Sequence, residues 1–200
     1  GVLGYSPVKT GILNLPFTFF IAITAAYASK KVATIAPRTF LIIGPLLTAA
    51  GLFYYSRLPL QGEYWADLFP GIALMASGMG LTFVALTLVA TSGVKKQDSG
   101  LASGLLNTSQ QVGGALGLAV LTSISTAKTK SLLEEAGSNP AVMSSAMVSG
   151  FKDAFIAAGV LSLVAALIAF LALPNKKLTP DELSHELEKE AETFPAVPGV

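Results

Sequence analysis

Five long stretches of this chain contain no charged residue: Thr10–Ser29, Thr39–Ser56, Leu68–Val94, Ser99–Ala127 and Ala154–Asn175. Each holds at least 18 residues, enough for a helix to cross the hydrocarbon core of a bilayer. They are apolar nearly all round, so no amphipathic soluble helix accounts for them. Pro16, Pro45, Pro70, Gly71, Gly78 and Gly80 fall inside them. In a membrane helix such residues are tolerated, because neighbouring groups re-satisfy the freed backbone. The chain therefore reads as an all-α integral membrane protein with five transmembrane helices, at about 10–29, 39–56, 68–92, 99–124 and 154–174.

Composition points the same way. Charged residues make up 12% of the 200 positions, against about 25% in soluble domains. That is too little charge to cover a soluble surface. The net charge of +1 says nothing about nucleic acid, and with no basic cluster interleaved with aromatics no nucleic-acid partner is expected. With no cysteine, disulfides and thiol chemistry are excluded.

Five crossings place the two ends on opposite sides. Lys30, Lys31, Arg38, Lys95, Lys96, Lys176 and Lys177 lie on one side, and Lys9, Arg57, Lys128, Lys130 and Lys152 on the other. The first set is denser and sits in short loops against the spans, which marks that side as cytoplasmic. The N-terminus is then outside and the C-terminus inside. Tyr54, Tyr55, Tyr64 and Trp65 cluster where an outer interfacial belt belongs. The loop Lys128–Asp153 is expected to hold a short surface helix starting at Asn139-Pro140 and displaying Met143, Met147 and Phe151. Residues 176–200 read as a cytoplasmic tail, with a helix opened by the capping box Thr179-Pro180-Asp181-Glu182. The single histidine, His185, sits in that tail as a solvated side chain.

The fourth stretch is the unusual one. At 100° per residue, Gly100, Ser103, Gly104, Asn107, Gln111 and Gly114 share one face roughly 100° wide. Gly100, Gly104, Gly114 and Gly117 allow close approach of another helix. Asn107 and Gln111, with Ser103 beside them, either bridge to such a helix or line a cavity with neutral donors and acceptors. Asn14, Thr82 and Thr87 pose the same question more weakly. No span interior carries an ionisable residue of the kind that marks a proton pathway. No paired carboxylates, metal-ligand cluster, nucleophile elbow or phosphate loop appears, so neither an enzyme nor a cofactor or metal site is expected.

Gly4-Tyr5-Ser6-Pro7, Gly11 and Leu15-Pro16 resemble the outer loop and helix start of the major facilitator superfamily, in its fourteen-span drug:proton antiporter branch. Leu101 to Ser109, then Gln111 and Gly113-Gly114-Ala115-Leu116-Gly117, resemble that branch's penultimate helix. The resemblance runs to about Pro174. It implies that residues 1–175 form most of the C-terminal half of a major facilitator fold, with nine spans preceding them. It also implies a multi-pass cell-membrane protein, exporting small amphiphilic substrates in exchange for protons by alternating access. Membrane lipid, the substrate, protons and the missing N-terminal spans are then its partners. A transporter of one specific metabolite and a non-transporting scaffold are the alternatives. Two departures stand out. The family's Gly-Arg-Leu-Ala-Asp-Arg-Phe-Gly-Pro-Arg loop is here Ser29-Lys30-Lys31-Val32-Ala33-Thr34-Ile35-Ala36-Pro37-Arg38, which leaves Lys30, Lys31 and Arg38 a role in topology. At Gln110 the family commonly has Arg.

Overall fold

The computed structural model describes residues 7–59, 63–92, 94–136 and 140–175. Among them there is no strand. Five helices follow in order: α1 (Pro7–Lys31), α2 (Pro37–Tyr55), α3 (Phe69–Thr91), α4 (Ser99–Ala136) and α5 (Pro140–Ala172). A π-helical turn, Tyr64–Leu68, leads into α3, and a short 3-10 turn, Lys96–Asp98, leads into α4. Across the bundle the order is α1, α3, α2, α5, α4, with α3 seated against both α1 and α2 and α5 against both α2 and α4. The capping-box helix and His185 lie outside the described residues.

Glycine sets how closely these helices approach. A methyl group added at Gly44 would lie 2.8 Å from the Gly78 carbonyl oxygen, and one at Gly51 would lie 2.9 Å from the Gly71 carbonyl oxygen. Both pairs bring the backbones of α2 and α3 together. Gly80 does the same for α1, since its added methyl would sit 2.7 Å from the Ile21 carbonyl oxygen. Without a hydrophobic force between helices in lipid, such close backbone packing is the main source of cohesion. At the end where α1 meets α2, Ala28, Val32, Phe40, Leu41, Leu81, Ala85 and Ala169 close a small buried cluster.

Hydroxyls from neighbouring elements reach backbone carbonyls around the internal prolines. Pro70 has no N–H to give the Ala66 carbonyl, four residues back, and the Tyr54 hydroxyl donates to that carbonyl instead (2.6 Å). Tyr55 donates to the carbonyl of Leu68 (3.0 Å). Pro16 loosens the ladder of α1, and Tyr64 donates to the Leu13 carbonyl (2.6 Å). Pro45 lies inside α2, where Ser162 of α5 donates to its carbonyl (3.1 Å). Tyr54, Tyr55 and Tyr64 of the cluster expected as an interfacial belt thus also bond backbone carbonyls of other elements, and Tyr54 takes up the one that Pro70 frees.

One expectation changes. The segment Lys128–Asp153 forms no separate surface helix. Instead α4 runs on to Ala136 and α5 starts at Pro140, so Met143, Met147 and Phe151 belong to α5 itself. Nothing between Ala127 and Ala136 breaks a helix, and the expected Pro140 start opens a helix that never stops before the span. At 1.5 Å per residue, the 38 residues of α4 extend about 57 Å, well beyond the roughly 30 Å of a hydrocarbon core. Among the described residues, four segments are long and apolar enough to cross a membrane: Gly11–Lys31, Pro37–Tyr55, Tyr64–Thr91 and Val142–Ala172. Helix α4 is not among them, because glycine, serine, threonine, asparagine and glutamine dilute its apolar content.

Candidate substrate-cavity face

Between Ser99 and Val120 no residue of α4 is buried. The partly covered positions are Ser99, Ala102, Leu106 and Gly117, which mark the side turned toward the rest of the bundle. Ser103, Asn107 and Gln111 are exposed on a different side, and all three share the face that helical spacing gives them. Added methyl groups at Gly100, Gly104, Gly114 and Gly117 would meet nothing within 4 Å. The glycines that bring helices of this chain together are therefore Gly44, Gly51, Gly71, Gly78, Gly80, Gly150 and Gly159, while the α4 stripe stands open over 100–117. Thr108, next to the stripe, donates to the Gly104 carbonyl (2.8 Å).

The same helical face continues toward the C-terminal end of α4, and there it is occupied. Gly150 of α5 packs against the Ser125 carbonyl and the Thr129 side chain, and the Thr129 hydroxyl reaches the Ala146 carbonyl (3.3 Å). Between α4 and α5, a groove of about 690 Å³ is walled by Leu118, Leu121, Thr122, Met147 and Phe151, with Leu52 of α2 also lining it. Helix α5 stays on α2 over its remaining length. Gly159 lies against the Phe53 ring, Ser162 on Pro45 and Phe170 on Arg38. It therefore leaves the α4 face uncovered before Leu118. Spacing alone links Asn107 and Gln111 to Ser125 and Thr129 on one stripe. The second pair, at the end of the uncharged stretch Ser99–Ala127 and just beyond it, is not among the residues expected at the site.

The other expected polar positions have different surroundings. Thr82 donates to the Gly78 carbonyl (2.8 Å) at the contact between α2 and α3. Thr87 donates to the Phe83 carbonyl (2.9 Å). Asn14 lies exposed on α1. At the opposite end of the bundle, Lys30 and Lys31 are exposed in the last turn of α1. Arg38 does more than carry charge. Its guanidinium donates to the Phe170 carbonyl and lies 5.0 Å over the Phe170 ring. Phe170 is in the last turn of α5, whose final carbonyls have no helical N–H partner, so a cation there is favoured by the helix dipole as well. Among the described residues, no three His, Cys, Asp or Glu side chains cluster so as to hold a metal ion.

Long apolar helices and glycine-mediated backbone contacts define a multi-pass α-helical membrane protein. The sequence profile of the Major Facilitator Superfamily matches residues 1–118, and the chain belongs to that superfamily. It is 34% identical over 186 residues to a puromycin resistance protein of Streptomyces alboniger, covering 91% of this chain and 37% of that protein. It is 28% identical to a cephamycin export protein of Amycolatopsis lactamdurans, covering 92% of this chain and 36% of that one. A tetracenomycin C resistance and export protein of Streptomyces glaucescens is 30% identical, with 92% and 40% covered. The chain thus spans well under half the length of these relatives.

Proposed function

We propose that the chain is the C-terminal part of a proton-coupled secondary transporter that exports small amphiphilic compounds by alternating access. In this reading it supplies five of the spans that rock about a central site. The export and resistance names of its relatives support the direction and the substrate class. Helix α4 is the fifth span despite its polar residues. Its stripe of Ser103, Asn107 and Gln111 faces the substrate path, and Gly100, Gly104, Gly114 and Gly117 give close approach to a helix of the missing spans. The end carrying Lys30, Lys31 and Arg38 is cytoplasmic, as is the 176–200 tail, and the tyrosine end faces outward in the cell membrane.

The observation that carries this reading is the contrast along α4. Its uncharged polar face is open over 100–117, whereas the glycine faces of α2 and α3 are filled. Neutral amide donors and acceptors suit varied amphiphiles better than one ionic ligand. Proton coupling then falls to ionisable groups elsewhere in the full protein.

Substituting Asn107→Leu and Gln111→Leu in the full-length transporter tests it. Efflux of a panel of cationic and neutral dyes is expected to fall and its selectivity to change, at unchanged membrane abundance. Unaltered efflux across the panel would leave α4 a packing element. Export of a single solute would favour a specific metabolite carrier instead.

A further inference from the structure

We propose that Tyr64 is a latch for the part of α1 that precedes Pro16, and that Pro16 is the hinge it acts on. Beyond the proline, α1 is held firmly. The Phe20 and Phe69 rings meet edge to face with centroids 5.9 Å apart, and Gly80 brings α3 onto the backbone at Ile21 and Ala25. On both sides of the proline the outer positions of α1 are exposed, Ile12 60%, Leu15 63%, Phe19 63% and Ile23 50%. What sets the later part apart is its packing on α3 at Phe20, Ile21 and Ala25. Pro16 gives no N–H to the Ile12 carbonyl, so the ladder is weakest at the turn joining these two parts.

Tyr64 sits where it controls that turn. It opens the π-helical turn before α3, its side chain is 9% exposed, and its hydroxyl donates to the Leu13 carbonyl across 51 residues of sequence (2.6 Å). Its own base is fixed. The Trp65 ring packs against Tyr64 at 5.2 Å and against Phe69 at 5.3 Å, and Tyr54 and Tyr55 tie the same turn to α2. A hydroxyl held rigidly by α2 and α3 thus grips the carbonyl just ahead of the proline. Tyr64 is a positioning residue that touches no substrate. Release of its bond frees residues 7–15 to swing about Pro16, opening or closing the tyrosine end of the bundle.

The test uses the full-length protein in proteoliposomes, with Leu13→Cys as the one reactive thiol and N-ethylmaleimide, which enters from either side, as the probe. Labelling measures water access at the latch and needs no transport, so its outcome is separate from that of the efflux reading on which the gating role rests. Tyr64→Phe keeps the ring and removes one hydrogen bond, so labelling is expected to quicken about fivefold. Pro16→Ala restores the missing N–H. It is expected to slow labelling on its own and to abolish the effect of Tyr64→Phe. Turnover number is expected to change in Tyr64→Phe at unchanged KM. Unchanged labelling in Tyr64→Phe overturns the proposal, as does the same increase with and without Pro16. Should Tyr64→Phe not yield folded protein, Pro16→Ala alone decides: labelling as fast as in the parent overturns the hinge.

Discussion

Gly78→Ala offers a quantitative test of how α2 and α3 are joined. The added methyl would collide with the Gly44 carbonyl and the Thr48 side chain, and would lie 2.7 Å from the Thr48 backbone nitrogen. Because two of these three atoms are backbone, the helices must move apart; a rotamer change cannot relieve the contact. Overpacking of this kind costs about 1–3 kcal/mol, and the upper end applies where backbone is the obstacle. Alanine is favoured over glycine in a helix interior by about 1 kcal/mol. The net expectation is a loss of about 2 kcal/mol, or roughly a 30-fold drop in the folded-to-unfolded ratio. The assay is denaturant unfolding of the full-length protein in detergent, followed by its elution profile. Gly11→Ala is the control, since its added methyl meets nothing within 4 Å, and it should be neutral or slightly stabilising. Equal stability of Gly78→Ala and the parent would refute the close packing of α2 on α3.

Other perturbations follow from single contacts. Arg38→Gln removes the cation and ring stacking at the end of α5 and is expected to cost about 1–2 kcal/mol by the same unfolding assay. Arg38→Lys should recover only part of this, since it keeps charge but loses the planar fork. Tyr54→Phe leaves the Ala66 carbonyl without its donor and is expected to cost about 1 kcal/mol, whereas Tyr27→Phe, on an exposed turn of α1, should cost nothing measurable. Gly104→Ala should slow transport without destabilising the isolated C-terminal helices if a helix of the absent spans packs there; unchanged transport would show that no helix approaches Gly104.

The helices were legible because the absence of charge over 18 or more residues leaves few alternatives to a span, and Lys31, Arg57 and Lys95 mark where the first three stop. The continuation of α4 and α5 past Lys128 and Lys152 was not legible. Charge ends a span without ending a helix, and neither glycine nor proline interrupts 127–136. Sequence could name glycine as a packing residue but not choose among glycines. Gly78 and Gly104 both lie in apolar runs, and only the fold sets one against Gly44 and leaves the other open. Arg38 read as a topology marker because its partner is a carbonyl 132 residues away. Tyr54, Tyr55 and Tyr64 read as interface residues from their amphipathic chemistry. That their hydroxyls reach backbone carbonyls of other elements depends on register, which no local pattern encodes.

Cysteine scanning of α4 from Gly100 to Gly117 in the full-length protein tests the central claim most directly. Each single cysteine would be labelled with a small maleimide, with and without a transported dye. Labelling is expected to peak at Ser103, Asn107 and Gln111 and to fall at Ala102 and Leu106. Bound dye is expected to protect the three peak positions. Labelling with no helical period, or peaks that dye leaves unprotected, would contradict a substrate-facing stripe.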